Sequence, residues 1–309
     1  MPRDEPVYIL GAGAIGLPLA AYLTHAGRRA VAVRTSRSDV PHNVSSVTVH
    51  GSSETVSADV ETVSLAQLEP FQGIAVVTAK AHANAAIALE LRQKAPTSPI
   101  VLLQNGVGVE RAFLEAGFED VLRCVLYVTS QAGAHENEFT MRPITASPIG
   151  AINGSSSLEH VVAQLHTDGL PFRAEANIAR EVWKKAIINA VYNSVCPLLE
   201  VDNGIFTRDP AARDIAQEIV AECVTLTSRL GMDLTEGEIM TQLLRVSQGS
   251  SGQFISTLQD IRAGRQTEIE FLNLEISRVA AALEPPVSVQ KVDLLGRMIL
   301  MKSAARSRL

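Results

Sequence analysis

The chain has 309 residues, of which 46% are apolar and 19% charged. That is a globular composition, with length for roughly two domains at ~150 residues each. A net charge of −6, with one Trp, four Tyr and eight Phe, makes nucleic acid and anionic membranes unsuitable partners. The three cysteines, Cys124, Cys196 and Cys223, are far apart with no C-x-x-C spacing. This argues against a disulfide framework or a thiolate zinc site. No metal site is expected, and a reducing, cytoplasmic setting fits.

From Pro6 to Gly27 the chain carries no formal charge and could be scanned as a signal peptide or membrane span. Gly11, Gly13 and Gly16 interrupt that run where a strand would turn into a helix, and acidic Asp4 and Glu5 precede it, so export is not expected. Residues 7–10 (VYIL) read as a buried strand, followed by a helix ending at Gly27 and a second strand, AVAV, at 30–33. A Ser- and Val-rich stretch at 43–64 has room for short strands. IAVVTA (74–79) and IVLLQ (100–104) flank a helix, and VLRCVLYVT (121–129) reads as one more strand. Strand–helix alternation predicts a parallel sheet covered on both faces. From Asn177 onward helical periods dominate, punctuated by Pro197, Gly231, Gly264 and Pro285–Pro286. The expected fold is α/β: a Rossmann-like dinucleotide-binding domain over 1–176, then an all-α substrate and catalytic domain over 177–309.

The segment Gly11-Ala12-Gly13-Ala14-Ile15-Gly16 matches the G-x-G-x-x-G fingerprint, with the strand before and helix after that the motif requires. Gly11 would allow the tight turn, Gly13 the approach of a pyrophosphate, and Gly16 close helix–strand packing. Amides at the helix start would bind the phosphates. NAD enzymes place a carboxylate at the end of the second strand. This chain has Arg34 there, with Arg37 nearby. A guanidinium can grip a 2′-phosphate that a carboxylate would repel, so the expected cofactor is NADP(H). Two more strand ends carry polar residues, Lys80 and Asn105. Lys80 could neutralise phosphate. Asn105 could bind the nicotinamide ribose or the substrate, or, with Gly106, simply form a turn.

On the helix WKKAIINAVYNSV (183–195), Asn189 lies about 40° from Lys185, and Asn193 about 80°. Trp183, Ile187, Ala190 and Val191 fall on the other side. A merely solvated face would favour charged residues over Asn, a poorer helix former. One cation with two amides in line therefore reads as a pocket for a polar ligand, against the alternative of a surface stripe. At 267–270, TEIE reads as a capping box, with Thr267 as N-cap, Glu270 reaching back and Glu268 in the first helical turn.

Together GAGAIG, Arg34, TAK (78–80), QNGVG (104–108), the WKK…N…N pattern of 183–193 and STLQDIRAGRQTEI (256–269) resemble the ketopantoate reductase (2-dehydropantoate 2-reductase) family nearly end to end. The resemblance implies NADPH-dependent reduction of 2-dehydropantoate to pantoate, a step towards pantothenate and coenzyme A. It makes Lys185 the proton donor, and puts Asn189, Asn193, Asn203 and Ser256 in the substrate site. It assigns Arg34, Lys80, Asn105 and Glu268 mainly to NADP(H), with Asn105 and Glu268 close to the reacting end. Glu268 also counts among the catalytic residues and Asn105 among those binding substrate. One stretch departs from the pattern: TSQAG (129–133) stands where relatives often carry a His-containing run. A reductase of another 2-oxo acid on the same plan stays open, as does a non-catalytic NADP(H) sensor, which would need no lysine–asparagine stripe. The expected partner is a small 2-oxo acid; a homodimer is compatible with the sequence.

Overall fold

Short β-branched runs in the first half form strands, and the segments between the central ones wind into helices. The computed structural model describes residues 5–36, 41–154 and 156–306, so Arg37 lies outside the described residues. The strands are β1 (Val7–Leu10), β2 (Ala30–Arg34), β3 (Asn43–His50), β4 (Thr55–Ser64), β5 (Ile74–Val77), β6 (Ile100–Leu102), β7 (Val121–Cys124), β8 (Val128–Ala132), β9 (Glu138–Pro143), β10 (Ser147–Asn153) and β11 (Phe172–Ala174). They form one sheet in the order β11-β10-β7-β6-β5-β1-β2-β4-β3-β9-β8. Helices α1 (Gly16–His25), α2 (Asn84–Lys94), α3 (Arg111–Glu115) and α4 (Leu158–Leu165) complete this half.

The central run from β7 to β4 is parallel throughout. Strands β1, β5 and β6 are wholly buried, as strands covered on both faces must be. The flanks differ from the all-parallel expectation. The stretch 43–64 is a long hairpin rather than short strands, with β3 antiparallel to β4 over eight register pairs. Its link, residues 51–54, is too short for a crossover. The run 121–129 is also not one strand. Its first part pairs with β6 and β10, and its second part pairs with β9 at the opposite end of the sheet.

The second half is helical: α5 (Ile178–Leu199), α6 (Ile205–Arg208), α7 (Pro210–Arg229), α8 (Glu236–Gly249), α9 (Ser256–Arg262), α10 (Asn273–Ala281) and α11 (Gln290–Arg306). Local chemistry sets the starts. Asp209 caps α7, its carboxylate accepting from the Ala211 amide at 2.8 Å with Pro210 at the first helical position. Thr235 caps α8 and accepts from the Glu238 amide at 3.2 Å. The core gathers Trp183, Ile187 and Val191 of α5, Phe206 of α6, Cys223 of α7 and Leu243 of α8, with Tyr192 edge-on to Phe206 at 4.8 Å.

By its internal contacts the chain divides into two units, one of residues 1–104 and 109–178, the other of 105–108 and 179–309. Among the described residues no helix is long and apolar enough to cross a membrane, and no group of His, Cys, Asp and Glu could hold a metal ion. All three cysteines are buried. Burial, with the charge of Asp202 adding to it, pushes the Cys196 thiol up to about 12; burial also raises that of Cys223.

Candidate active site

In the sheet unit the glycine turn is shaped by steric necessity. Gly11 has φ +126°, and a Cβ there would run into the Ala79 amide and lie 2.7 Å from Thr78 Oγ1. A Cβ at Gly16 would overlap the Gly11 carbonyl oxygen, whereas Gly13 faces open space. The Thr78 hydroxyl donates to the Gly11 carbonyl at 2.7 Å. The turn runs on through Ala12, Ala14 and Ile15, and the Ala14 carbonyl accepts from the Ser130 hydroxyl on β8. The divergent TSQAG stretch thus reaches the glycine turn from the edge strand of the sheet. Helix α1 begins with no side-chain cap and no acidic residue in its first turn, so no side chain of its own takes the place of an anion at that end.

Arg34 ends β2 half-buried, and its Nε is buried without a hydrogen-bond partner. Lys80, also half-buried, leads a 3₁₀ turn at Ala81–Ala83. An amide pair fixes the neighbouring strand ends. Asn84 Nδ2 donates to Gln104 Oε1 at 2.9 Å, Gln104 Nε2 returns a bond to Asn84 Oδ1 at 2.7 Å, and Gln104 Nε2 also reaches the Ala79 carbonyl at 2.5 Å. An orphaned guanidinium nitrogen, an open glycine and an uncapped helix start fit a dinucleotide bearing an extra phosphate.

Asn105 groups with the helical unit rather than with the sheet. Gly106, at φ +100°, packs so closely that a Cβ would collide with the Phe271 carbonyl. The Val107 amide donates to that carbonyl at 2.9 Å, and the Phe271 amide donates to the Glu268 carbonyl at 3.0 Å. Asn105 and Glu268 therefore sit on adjoining backbone segments. The capping box expected at Thr267 is not formed. Glu268 leads a 3₁₀ turn, Ile269–Phe271, with no side-chain cap, and α10 starts only at Asn273. Thr267 is buried, while exposed Glu270 accepts from Gln266 Nε2 at 3.4 Å. Buried Leu272, at φ −113° and ψ −105°, breaks the helix to reach the core.

Helix α5 carries the polar stripe. Trp183, Ile187, Ala190 and Val191 are buried in the core, while Lys185 and Asn189 are half-buried. Asn193 is 3% exposed; its Nδ2 donates to the Asn189 carbonyl at 2.9 Å, and its Oδ1 accepts from Thr257 Oγ1 at 2.6 Å. Thr257 is a residue that sequence reasoning misses. Its neighbour Ser256, a candidate from the sequence, opens α9 and is exposed. Lys184, next to Lys185, is committed elsewhere: with Arg180 it pairs with Glu238 of α8, Lys184 at 2.8 Å and Arg180 at 2.5 Å. Burial works against the Glu238 carboxylate, but the bonds from Lys184 and Arg180 outweigh it and hold the group below its usual range.

Asn203 lies just past α5, 7% exposed, with its Oδ1 buried and unpartnered. Its backbone is pinned by an amide bond to the Gln253 carbonyl at 2.9 Å and a bond from Ser247 Oγ at 2.8 Å. The adjacent Asp202 carboxylate accepts from Arg208 at 2.8 and 3.0 Å and from the Gly204 amide at 2.7 Å. The Arg208 bond pulls Asp202 down to about 2. A depressed carboxylate stabilises the fold above its unfolded value and loses that contribution as pH falls through the folded one. Asp202→Asn is therefore expected to lower the melting temperature by roughly 1–4 °C at pH 6. The gap to wild type should close on acidification from about 4 towards 2. A gap that persists at the lowest pH would remove the charge from the explanation.

A Rossmann-type sheet unit with a glycine turn, joined in one chain to a helical unit bearing a lysine–asparagine stripe, is the build of a dinucleotide-dependent oxidoreductase. Family models described as "Ketopantoate reductase PanE/ApbA" and "Ketopantoate reductase PanE/ApbA C terminal" match residues 7–146 and 177–298. The chain is 26% identical over 290 residues to the 2-dehydropantoate 2-reductase of Pyrococcus horikoshii, covering 91% of this chain and 93% of that one. Its fold is similar to that of a D-mandelate dehydrogenase solved with NADH and anilino(oxo)acetate (TM-score 0.83, 19% identity, 97% of this chain and 99% of that one). It is also similar to that of a dimeric ketopantoate reductase from Staphylococcus aureus (TM-score 0.81, 18% identity, 97% and 99%). The chain belongs to the ketopantoate reductase family.

Proposed function

We propose that the chain reduces 2-dehydropantoate to pantoate with NADPH. The observation that carries this reading is the stripe on α5, where Lys185 and the two asparagines stand on a helix whose opposite side, Trp183, Ile187, Ala190 and Val191, packs into the core. NADP(H), when bound, supplies the hydride to C2 of the acid. Lys185 Nζ binds the C2 oxygen and gives it a proton as negative charge develops there. Asn189, Asn193 and Ser256 orient the acid. Asn203 Oδ1, buried without a donor, accepts from the substrate hydroxyl. Gly11 to Gly16 with Lys80 hold the phosphates, and Asn105 and Glu268 hold the reacting end.

Arg34 would hold the 2′-phosphate. Arg34→Ala should weaken NADPH binding by roughly 10- to 150-fold, the loss of a charge-assisted contact of ~1.5–3 kcal/mol, with little change for NADH. Fluorescence titration of both cofactors checks this, and equal loss for both would remove Arg34 from the 2′-phosphate. Another 2-oxo acid, such as an aryl one reduced to a mandelate-type 2-hydroxy acid, is the second reading, favoured by the fold neighbour bound to anilino(oxo)acetate. Three buried cysteines with no C-x-x-C spacing support a cytoplasmic setting. Leu294, Met298 and Met301, exposed at helical spacing along α11, support a homodimer.

A further inference from the structure

The bond between Thr257 and Asn193 joins two side chains that are each 3% exposed and 64 residues apart in sequence. A carboxamide has two N–H donors and one oxygen with two lone pairs. In Asn193 the oxygen is taken by the Thr257 hydroxyl, and one N–H is taken by the Asn189 carbonyl. The amide keeps its second N–H, and one lone pair of its oxygen, uncommitted. We propose that Thr257 is a positioning residue: by donating to Oδ1 it holds the Asn193 amide in one orientation, with its second N–H set out for the substrate. The group that this N–H meets must be an acceptor, a carboxylate or carbonyl oxygen. The inference rests on the reading of α5 as the substrate helix.

Three features support the lock. The Asn189 carbonyl can only accept, so Nδ2 is the end of the amide that faces it and Oδ1 the end that faces Thr257, whose hydroxyl therefore donates. The partner is buried, so no water takes over when the hydroxyl is lost. Thr257 is also on the first turn of α9, directly after Ser256, so the same bond ties the backbone bearing Ser256 to the stripe on α5. Without it Oδ1 loses its donor, and the amide is free to swing away from the orientation that sets its second N–H towards the substrate.

The test is steady-state kinetics with NADPH and 2-dehydropantoate for wild type, Thr257→Val and Thr257→Ser. Thr257→Val should raise KM roughly five- to thirtyfold, with kcat and NADPH affinity within about threefold, and Thr257→Ser should restore KM. An unchanged KM in the valine variant overturns the proposal. So does a joint fall in kcat, substrate affinity and cofactor affinity that serine does not rescue. Should valine prevent folding, Thr257→Ala replaces it. If wild type reduces a different 2-oxo acid, the substrate reading fails and the same comparison is run with that acid. A denaturation cycle over Asn193→Ala and Thr257→Val needs no substrate. It should show coupling of roughly two- to tenfold in the unfolding constant, and strict additivity would overturn the lock.

Discussion

Replacing Lys185 with alanine should lower kcat for 2-dehydropantoate reduction by roughly 10²–10⁴, the range for a lost general acid, with NADPH affinity within about threefold. The control is the next residue. Lys184 sits about 100° around the helix, and its ammonium bonds to Glu238 at 2.8 Å. Losing that pair, which is partly exposed, should cost about 0.2–1 kcal/mol of stability and little of kcat. Circular dichroism melts and stopped-flow hydride transfer separate the two effects. If the two alanine variants lose kcat alike, Lys185 is not the proton donor. Lys185→Arg keeps the charge but not the compact, strongly hydrated ammonium or its tunable pKa, so it should recover little of the rate.

The second large effect concerns what the pocket accepts. Ketopantoate should exceed 2-oxoisovalerate, which lacks the hydroxymethyl group, by roughly ten- to two-hundredfold in kcat/KM. The reason is Asn203. Its Oδ1 is buried with no donor from the protein, and an acceptor left in that state costs ~1–3 kcal/mol. A substrate hydroxyl relieves the cost, and a methyl group does not. Competition between the two acids with NADPH in excess reads the ratio directly. A ratio near one would shift the assignment to another 2-oxo acid. Asn203→Leu should then compress the ratio, because the apolar side chain no longer distinguishes the two acids.

Features set by close neighbours along the chain are legible in the sequence. The glycine turn is readable because Gly11 and Gly16 answer to steric demands within one strand–turn–helix unit. The stripe on α5 is readable because helical period alone puts Lys185, Asn189 and Asn193 on one side. Features that depend on distant partners are not legible in this way. Thr267 and Glu270 have capping-box spacing, but burial of Thr267 and Leu272 overrides the local motif. The segment 105–108 has the pattern of a strand end, yet its backbone bonds to Phe271 place it with the helices. Strands β9, β10 and β11 leave no clear mark on 134–176, because they form only against a sheet whose order no local pattern encodes. Thr257 hides beside Ser256, since nothing in STLQD says which hydroxyl turns inward.

The sulfur placement makes the chain its own opening gauge. Cys124 ends a strand of the sheet unit, while Cys196 and Cys223 lie on α5 and α7 of the helical unit. All three are shielded, and burial keeps Cys196 and Cys223 protonated. A thiol of that kind reacts with an alkylating reagent only during the moments when its surroundings come apart. The labelling rate at each cysteine, resolved by mass spectrometry, is therefore a clock for its own unit. The sheet and the helical bundle can be timed separately in one native sample, without a mutation or an attached probe.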